Sequence, residues 1–390
     1  MKKVILAYSG GLDTSVAVRW LKEKGFRVIC YMADVGQGQN FTSAKKRAIK
    51  AGASKVIVGD LKKEFVKEFI WPCLAANAVY ESKYFLATAL SRPLIAKKLV
   101  EAARTEGAKY LAHGCTGKGN DQVRFEVSIG ALDAEMEVIA PVREWDLPTR
   151  EAEIRYAKIH KIPIDVTKKK PYSIDRNLWG VSIESGKLED PWFEPKENIY
   201  QVTTPVEKSP GKPCYLKIYF KGGIPEKING KDLDGISIIK KLNEIGGKYS
   251  VGRSDLIENR LVGIKSREIY EAPAAAILMD AHKALEGLVL DRETAHFKEI
   301  IGLKYSRLIY DGLWFTPLKE AIDRFVSYTQ KFVNGTVNIK LFKGNIFVVG
   351  RKSPNSLYRK ELATYGKGDK FDQSLAKGFI ELFGLPYKKR

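Results

Sequence analysis

A stretch near the amino terminus, Ala7-Tyr8-Ser9-Gly10-Gly11-Leu12-Asp13-Thr14-Ser15, sets two adjacent glycines among three aliphatic hydroxyls, a phenol and a carboxylate. Paired glycines let backbone N–H groups approach an anion closely, and Ser9, Thr14 and Ser15 supply further donors. A helix beginning here would aim the positive end of its dipole at the same point. The segment therefore reads as a cradle for phosphate. No lysine follows the glycines, so it is not the Gly-x-x-x-x-Gly-Lys-Ser/Thr loop that holds a transferable γ-phosphate, and no Gly-x-Gly-x-x-Gly fingerprint is present there. The plainer reading is a helix capped by Asp13, Thr14 or Ser15. An apolar strand before the loop and a helical pattern after it favour pyrophosphate instead. Asp13 adds a hard oxygen and is the candidate magnesium contact.

A second cluster, Ala112-His113-Gly114-Cys115-Thr116-Gly117-Lys118-Gly119-Asn120-Asp121-Gln122-Val123-Arg124, again follows an apolar run. Its glycines permit a tight loop. Thr116 and Asn120 can donate to a carboxylate, Asp121 can accept from an ammonium, and Arg124 can grip a second carboxylate with two prongs. Such an array suits amino acids. The alternative is a solvated glycine-rich surface loop, and His113 taken alone reads as structural.

The elements that must position these residues alternate. Short apolar runs at 4–8, 28–33, 55–58, 109–112 and 138–140 are separated by helical patterns, such as Val16, Ala17, Trp20 and Leu21 closed by Gly25. Leu94, Ile95, Lys98, Leu99 and Ala102 mark another helix ahead of the fourth run. This is the pattern of an α/β fold, a doubly wound parallel sheet, with both loops at its carboxyl edge where such sheets bind ligands. Between Pro163 and Pro171, two prolines and the run Lys168-Lys169-Lys170 suggest a connection to a second domain. Beyond it lie a strand at 215–220, a helix at 236–245, long helices between 274 and 330, and a hairpin at 337–349 turning on Lys343-Gly344-Asn345. That unit reads as α+β. Phe371, Leu375, Phe379, Leu382 and Phe383 line one side of a last short helix. The expected division is 1–165, 166–362 and a C-terminal arm, 363–390.

The chain has 390 residues, 44% of them hydrophobic, enough for two domains and an appendage. The apolar run after Met1-Lys2-Lys3 breaks at Tyr8-Ser9-Gly10-Gly11, and no stretch approaches the roughly 20 apolar residues of a membrane span. A soluble, cytoplasmic protein without a membrane role is expected. Cys30, Cys73, Cys115 and Cys214 form no Cys-x-x-Cys pair, so neither zinc nor a disulfide framework is indicated. The net charge of +20 is dispersed and is not accompanied by a nucleic-acid-binding module. It reads as a solvated surface and an attraction for polyanionic small substrates, with no nucleic-acid partner.

The first loop resembles the pyrophosphate loop of the N-type ATP pyrophosphatases, which fold as adenine nucleotide alpha hydrolase-like domains and adenylylate a substrate oxygen. The second, Ala-His-Gly-x-Thr-Gly-Lys-Gly-Asn-Asp-Gln-x-Arg-Phe-Glu, resembles a signature of argininosuccinate synthase. The likeness extends through residues 84–96, 170–180 and 258–273. It implies that Ala7, Tyr8, Ser9, Gly10, Gly11, Leu12, Asp13, Thr14, Ser15, Ala33, His113 and Gly114 bind ATP. It implies that Thr116, Asn120 and Asp121 hold L-aspartate. Tyr84, Thr88, Asn120, Arg124, Ser173, Ser182, Glu258 and Tyr270 would hold L-citrulline. Many relatives carry serine after Thr88; here Ala89 offers only its backbone, and Thr88 stands in. Taken one by one, the second-domain residues have ordinary packing or surface readings.

The resemblance further implies MgATP, citrulline and aspartate giving argininosuccinate, AMP and pyrophosphate through a citrullyl-adenylate, in arginine biosynthesis, by a homotetramer. Asp121 is then the candidate for orienting or deprotonating the incoming amine. The rivals are a transfer-RNA-thiolating pyrophosphatase and a nucleotide-binding sensor without chemistry. The absence of paired cysteines and the intact polar clusters weigh against them.

Overall fold

The computed structural model describes residues 1–163 and 172–388. Strands β1 (Lys2–Ala7), β2 (Phe26–Asp34), β3 (Lys55–Asp60), β4 (Tyr110–Ala112) and β5 (Glu137–Ile139) form one parallel sheet in the order β3-β2-β1-β4-β5. Both faces of β1 are buried, which is why Val4, Ile5 and Leu6 run as continuous apolar residues without alternation. Val4 and Leu6 pack under the helix Leu12–Glu23 through Val16, Ala17 and Leu21, together with Ala44, Ala48 and Ala157 of neighbouring helices. Ile5 packs on the opposite face with Leu99, Ala103, Phe125 and Ile129 from the helices Ala87–Glu106 and Asp121–Leu132. Strand order reverses beside β1, so the loops leaving β1 and β4 open into one crevice.

The remaining strands are β6 (Ser173–Arg176), β7 (Val181–Glu184), β8 (Cys214–Lys221), β9 (Ile224–Ile228), β10 (Lys231–Asp232), β11 (Arg253–Asn259), β12 (Lys265–Glu271), β13 (Gly335–Phe342) and β14 (Asn345–Lys352). They make two antiparallel sheets, β10-β9-β8-β13-β14 and β11-β12-β7-β6. The α/β and α+β expectations both hold. The helical stretch expected between 274 and 330 is three helices, Pro273–Val289, Arg292–Tyr310 and Pro317–Gln330. Asp291 and Thr316 cap the second and third through Thr294 N and Lys319 N. The hairpin turns on Lys343 and Gly344, with φ of +47° and +80°, and Asn345 already starts β14.

The β11-β12-β7-β6 sheet is the element sequence patterning missed. In register, Ser182 faces Tyr270 and Asp175 faces Ser182, so these side chains share a face with Glu184 and Glu268. Polar and acidic residues where a half-buried strand would carry valine or isoleucine erase the usual alternation. The largest apolar core joins residues from both parts of the chain, from Val35, Phe65, Tyr84 and Leu94 to Trp179, Tyr270, Tyr310 and Leu341. The inter-domain boundary expected at 165/166 and the lysine run at 168–170 lie outside the described residues. The helix Leu375–Gly384 has no buried residue, and Phe371, Phe379 and Phe383 are all exposed.

Candidate active site

Gly10 has φ of +83°, and a Cβ there would stand 2.8 Å from Gln39 Nε2. Gly11 is extended, with room for a Cβ 3.4 Å from Ser9 Oγ. Only the first glycine is demanded by the loop's own shape. Thr14 and Ser15 do not cap the helix: Ser15 Oγ donates to the Gly11 carbonyl at 2.7 Å, Ser9 Oγ accepts from Gly11 N at 3.3 Å, and Leu12–Glu23 has no side-chain cap. The helix N-terminus therefore keeps its N–H groups for a ligand. Gln39 Nε2 donates to the Ser9 carbonyl at 2.6 Å and Arg47 Nη2 to that of Gly10 at 3.4 Å. Both come from beyond β2, and sequence reading missed them. Ala33 sits at the end of β2, beside the loop.

Asp13 lies beside Glu153 of the helix Arg150–Ile159. Burial and the neighbouring Asp13 charge push the Glu153 carboxyl up to about 8, and its Oε2 has no hydrogen-bond partner. Two carboxyl groups so placed, one of them orphaned, form a donor pair that a hard cation would satisfy.

At the second loop, His113 Nδ1 accepts from Cys115 N at 3.3 Å, so Nε2 carries the proton and donates to Glu126 Oε1 at 3.1 Å. Glu126 is also paired with Arg143, which holds Gln122, and Gln122 Nε2 donates to the Gly117 carbonyl at 2.6 Å. The His113 ring is thus a strut under the glycine turn, and what it can offer a nucleotide is its backbone. Gly114 touches the first loop: a Cβ there would lie 2.9 Å from Thr14 Cγ2. Thr116 stands exposed on the lip.

Asp121 is clamped between two arginines. Arg92 Nε and Nη2 donate to its Oδ2 at 2.9 and 2.7 Å, and Arg124 Nη1 to its Oδ1 at 2.9 Å. Burial raises the carboxyl, but the two guanidinium charges outweigh it and hold Asp121 at about 2. A group that acidic cannot take a proton from an amine at neutral pH. Of the two expected roles, orienting or deprotonating the amine, this setting favours orientation, by an anion with one lone pair of Oδ1 left to accept. Arg124 is likewise committed, its Nε donating to the Tyr310 carbonyl at 2.8 Å. Arg92, which also reaches Asp175, lies inside the stretch 84–96 that carries the likeness, yet sequence reading did not single it out, because only folding brings Asp121 and Asp175 to it.

The second-domain residues close over this loop. Glu258 is 2% exposed and accepts the hydroxyls of Tyr270 and Tyr310. Burial and the adjacent carboxylates push both tyrosines up, so both remain donors. Tyr84 stacks on Tyr270 at 4.1 Å, and its hydroxyl accepts from Ala89 N. The Ala89 backbone N–H is thus engaged by Tyr84, while Thr88 Oγ1 meets Ser182 Oγ at 2.9 Å. Asn120 is 6% exposed, donating to Tyr310 and accepting from Leu261 N. Arg260 spans Glu184 and Glu268 and donates to the Lys118 carbonyl, tying this sheet to the loop. Ser173 stands at the exposed edge strand, in register with Glu184.

The arginosuccinate synthase N-terminal HUP domain matches residues 3–163, and the arginosuccinate synthase C-terminal domain matches 172–390. The argininosuccinate synthase of Carboxydothermus hydrogenoformans is 55% identical over 100% of this chain and 97% of its own length. That of Caldanaerobacter subterraneus subsp. tengcongensis is 57% identical over 100% of this chain and 95% of its own, and that of a Thermoanaerobacter species 57% over 99% and 95%. With two glycine loops meeting in one crevice and this likeness running end to end, the chain belongs to the argininosuccinate synthase family.

Proposed function

We propose that the protein joins L-citrulline to L-aspartate with ATP, giving argininosuccinate, AMP and pyrophosphate, as a step of arginine biosynthesis. The observation that carries this reading is the contact of Gly114 with Thr14, which sets an anion cradle directly against a loop of amino-acid-binding groups. The citrulline ureido oxygen attacks the α-phosphorus and the bond to the β-phosphate breaks. The aspartate amine then attacks the activated ureido carbon, and AMP leaves with the oxygen it gained. Uncapped N–H groups after Gly11, with Ser9 and Thr14, bind the phosphates and stabilise the departing pyrophosphate. Thr116, Asn120 and Asp121 hold aspartate, Asp121 orienting the ammonium while the released proton goes to a phosphate oxygen or solvent. Tyr84, Thr88, Asn120, Arg124, Ser173, Ser182, Glu258 and Tyr270 present citrulline. Tyr84 takes the Ala89 N–H in the first turn of the helix Ala87–Glu106, and the positive end of that helix beside Thr88 favours the citrulline carboxylate.

Asp13 with Glu153 fits a magnesium ion, which when bound neutralises phosphate charge. The bare helix Leu375–Gly384 supports a homotetramer in which the arm finds its cover on another subunit. Among the described residues no helix is long and apolar enough to cross a membrane, in keeping with a cytoplasmic enzyme. The test is a pyrophosphate-release assay with citrulline and aspartate added separately and together. Release requires citrulline and turns over fully only with both; release that ignores citrulline ends the proposal.

A further inference from the structure

Tyr310 is the last residue of the helix Arg292–Tyr310, far in sequence from either glycine loop. Its backbone arrives at the crevice because Gly312, with φ of +77°, lies so close that a Cβ there would fall 2.6 Å from the Arg124 Cα. The Tyr310 hydroxyl accepts from Asn120 Nδ2 at 2.8 Å and donates to Glu258 Oε1 at 2.7 Å. Its carbonyl accepts from Arg124 Nε at 2.8 Å, and the Arg124 guanidinium lies 4.8 Å over its ring. The ring itself is fixed by a parallel stack on Tyr80, centroids 3.6 Å apart.

A phenol is both donor and acceptor, so one oxygen settles two orientations at once. It turns the Asn120 amide so that Nδ2 faces Tyr310 and Oδ1 faces Leu261 N, and it fixes the second oxygen of a Glu258 carboxylate already held by Tyr270. Asn120, Arg124 and Glu258 are three residues of the citrulline side, and they come from two separate parts of the chain, the start of the helix Asp121–Leu132 and strand β11. Among the described residues, the hydrogen-bond and ring partners of Tyr310 outside its own helix are Tyr80, Tyr84, Asn120, Arg124 and Glu258, none of them placed on the ATP side.

We propose that Tyr310 is a positioning residue for citrulline, joining Asn120, Arg124 and Glu258 into one rigid wall without contributing to nucleotide binding. This inference rests on the citrulline assignment made above. It predicts a defect that is largest for citrulline and spares ATP, which a general loss of packing would not give.

The experiment is steady-state pyrophosphate release by Tyr310→Phe, with citrulline, aspartate and ATP varied in turn. Tyr305→Phe serves as the control. Its buried hydroxyl, on the same helix, donates to Asp323 Oδ1 at 2.6 Å, away from the crevice. Tyr310→Phe raises the citrulline KM at least about tenfold, the loss expected when a hydrogen bond to a charged group disappears, and leaves the ATP KM within about twofold. Tyr305→Phe lowers the melting temperature without moving any KM selectively. Equal KM changes for all substrates in Tyr310→Phe, or none, overturn the role of Tyr310 while leaving the reaction assignment intact. A wild-type enzyme whose pyrophosphate release ignores citrulline overturns both. Should Tyr310→Phe fail to fold, Tyr80→Leu removes the ring that braces Tyr310. It must then give the same citrulline-selective rise, or the proposal fails.

Discussion

The two sides of the crevice are built on opposite plans. The proposed phosphate side centres on one strand end, one loop and one helix start within nine consecutive residues, and what it offers is mostly backbone N–H groups. The amino-acid side draws on residues from Tyr84 to Tyr310 and works through charged and phenolic side chains that hold one another. A backbone site needs only a chain that can bend, so glycine spacing announces it. A side-chain site needs tertiary structure to bring its members together, and its members are individually ordinary.

The largest expected effect lies on the phosphate side. Gly10→Val forces a branched residue into positive φ, costing about 2 kcal/mol in the fold alone, and drives a methyl into Gln39. ATP binding should fall at least about a hundredfold, a difference of roughly 2.7 kcal/mol, with a lower melting temperature. Gly11→Val, on extended backbone with open space, should lose ATP affinity while melting like the wild type. Identical melting curves for the two variants, by calorimetry, would break the contrast.

Next comes the clamp on the other side. Asp121→Ala leaves Arg92 and Arg124 facing each other without their shared anion, and about 3 kcal/mol of stability should go with it. Because the three groups act together, Asp121→Asn and Arg124→Lys should be non-additive by at least about 1 kcal/mol in a double-mutant cycle on kcat/KM for either amino acid. Independent effects would show that the side chains do not hold one another. Asp121 at about 2 is ionised throughout the neutral range, and the stability its depressed carboxyl adds is present above its ordinary value near 3.8 and lost as pH falls towards 2. The pH profile of kcat/KM should therefore keep its shape in Asp121→Asn as its height falls. A vanished acid limb would restore Asp121 as a base.

A smaller change tests the amino-acid side from behind. Gly312→Ala presses against the helix Asp121–Leu132 and should cost about 1 to 3 kcal/mol of stability. It should raise the citrulline KM and leave that for ATP unchanged. The smallest effect on chemistry belongs to the arm: deleting 367–390 should dissociate the proposed tetramer, read by light scattering, before it lowers turnover per site. A monomeric full-length protein, or a tetrameric truncation, would remove the arm's proposed role.

Legibility followed the same division. The parallel sheet was readable because β1, buried on both faces, writes a continuous apolar run, and Gly25 marks its helix stop with φ of +83°. The β11-β12-β7-β6 sheet was not, because Asp175, Ser182, Glu184, Glu258 and Glu268 occupy positions where strands normally advertise themselves with apolar residues. At the site, Asp121 and Arg124 were visible through their motif, whereas their setting depends on Arg92 and Tyr310, whose partners only folding brings near. Arg47 and Gln39 escaped for the same reason: their partners are carbonyls of Ser9 and Gly10 that only folding brings near.

Gly114 and Thr14 have a bearing on inheritance. A methyl group on residue 114 would stand 2.9 Å from the methyl of Thr14, closer than two carbons tolerate. An alanine at 114 becomes acceptable only once position 14 has shrunk, for instance to serine. The two positions thus form a lock across a hundred residues of chain. A hybrid spliced from two relatives anywhere between them keeps a working crevice only if both halves of the lock come from compatible parents.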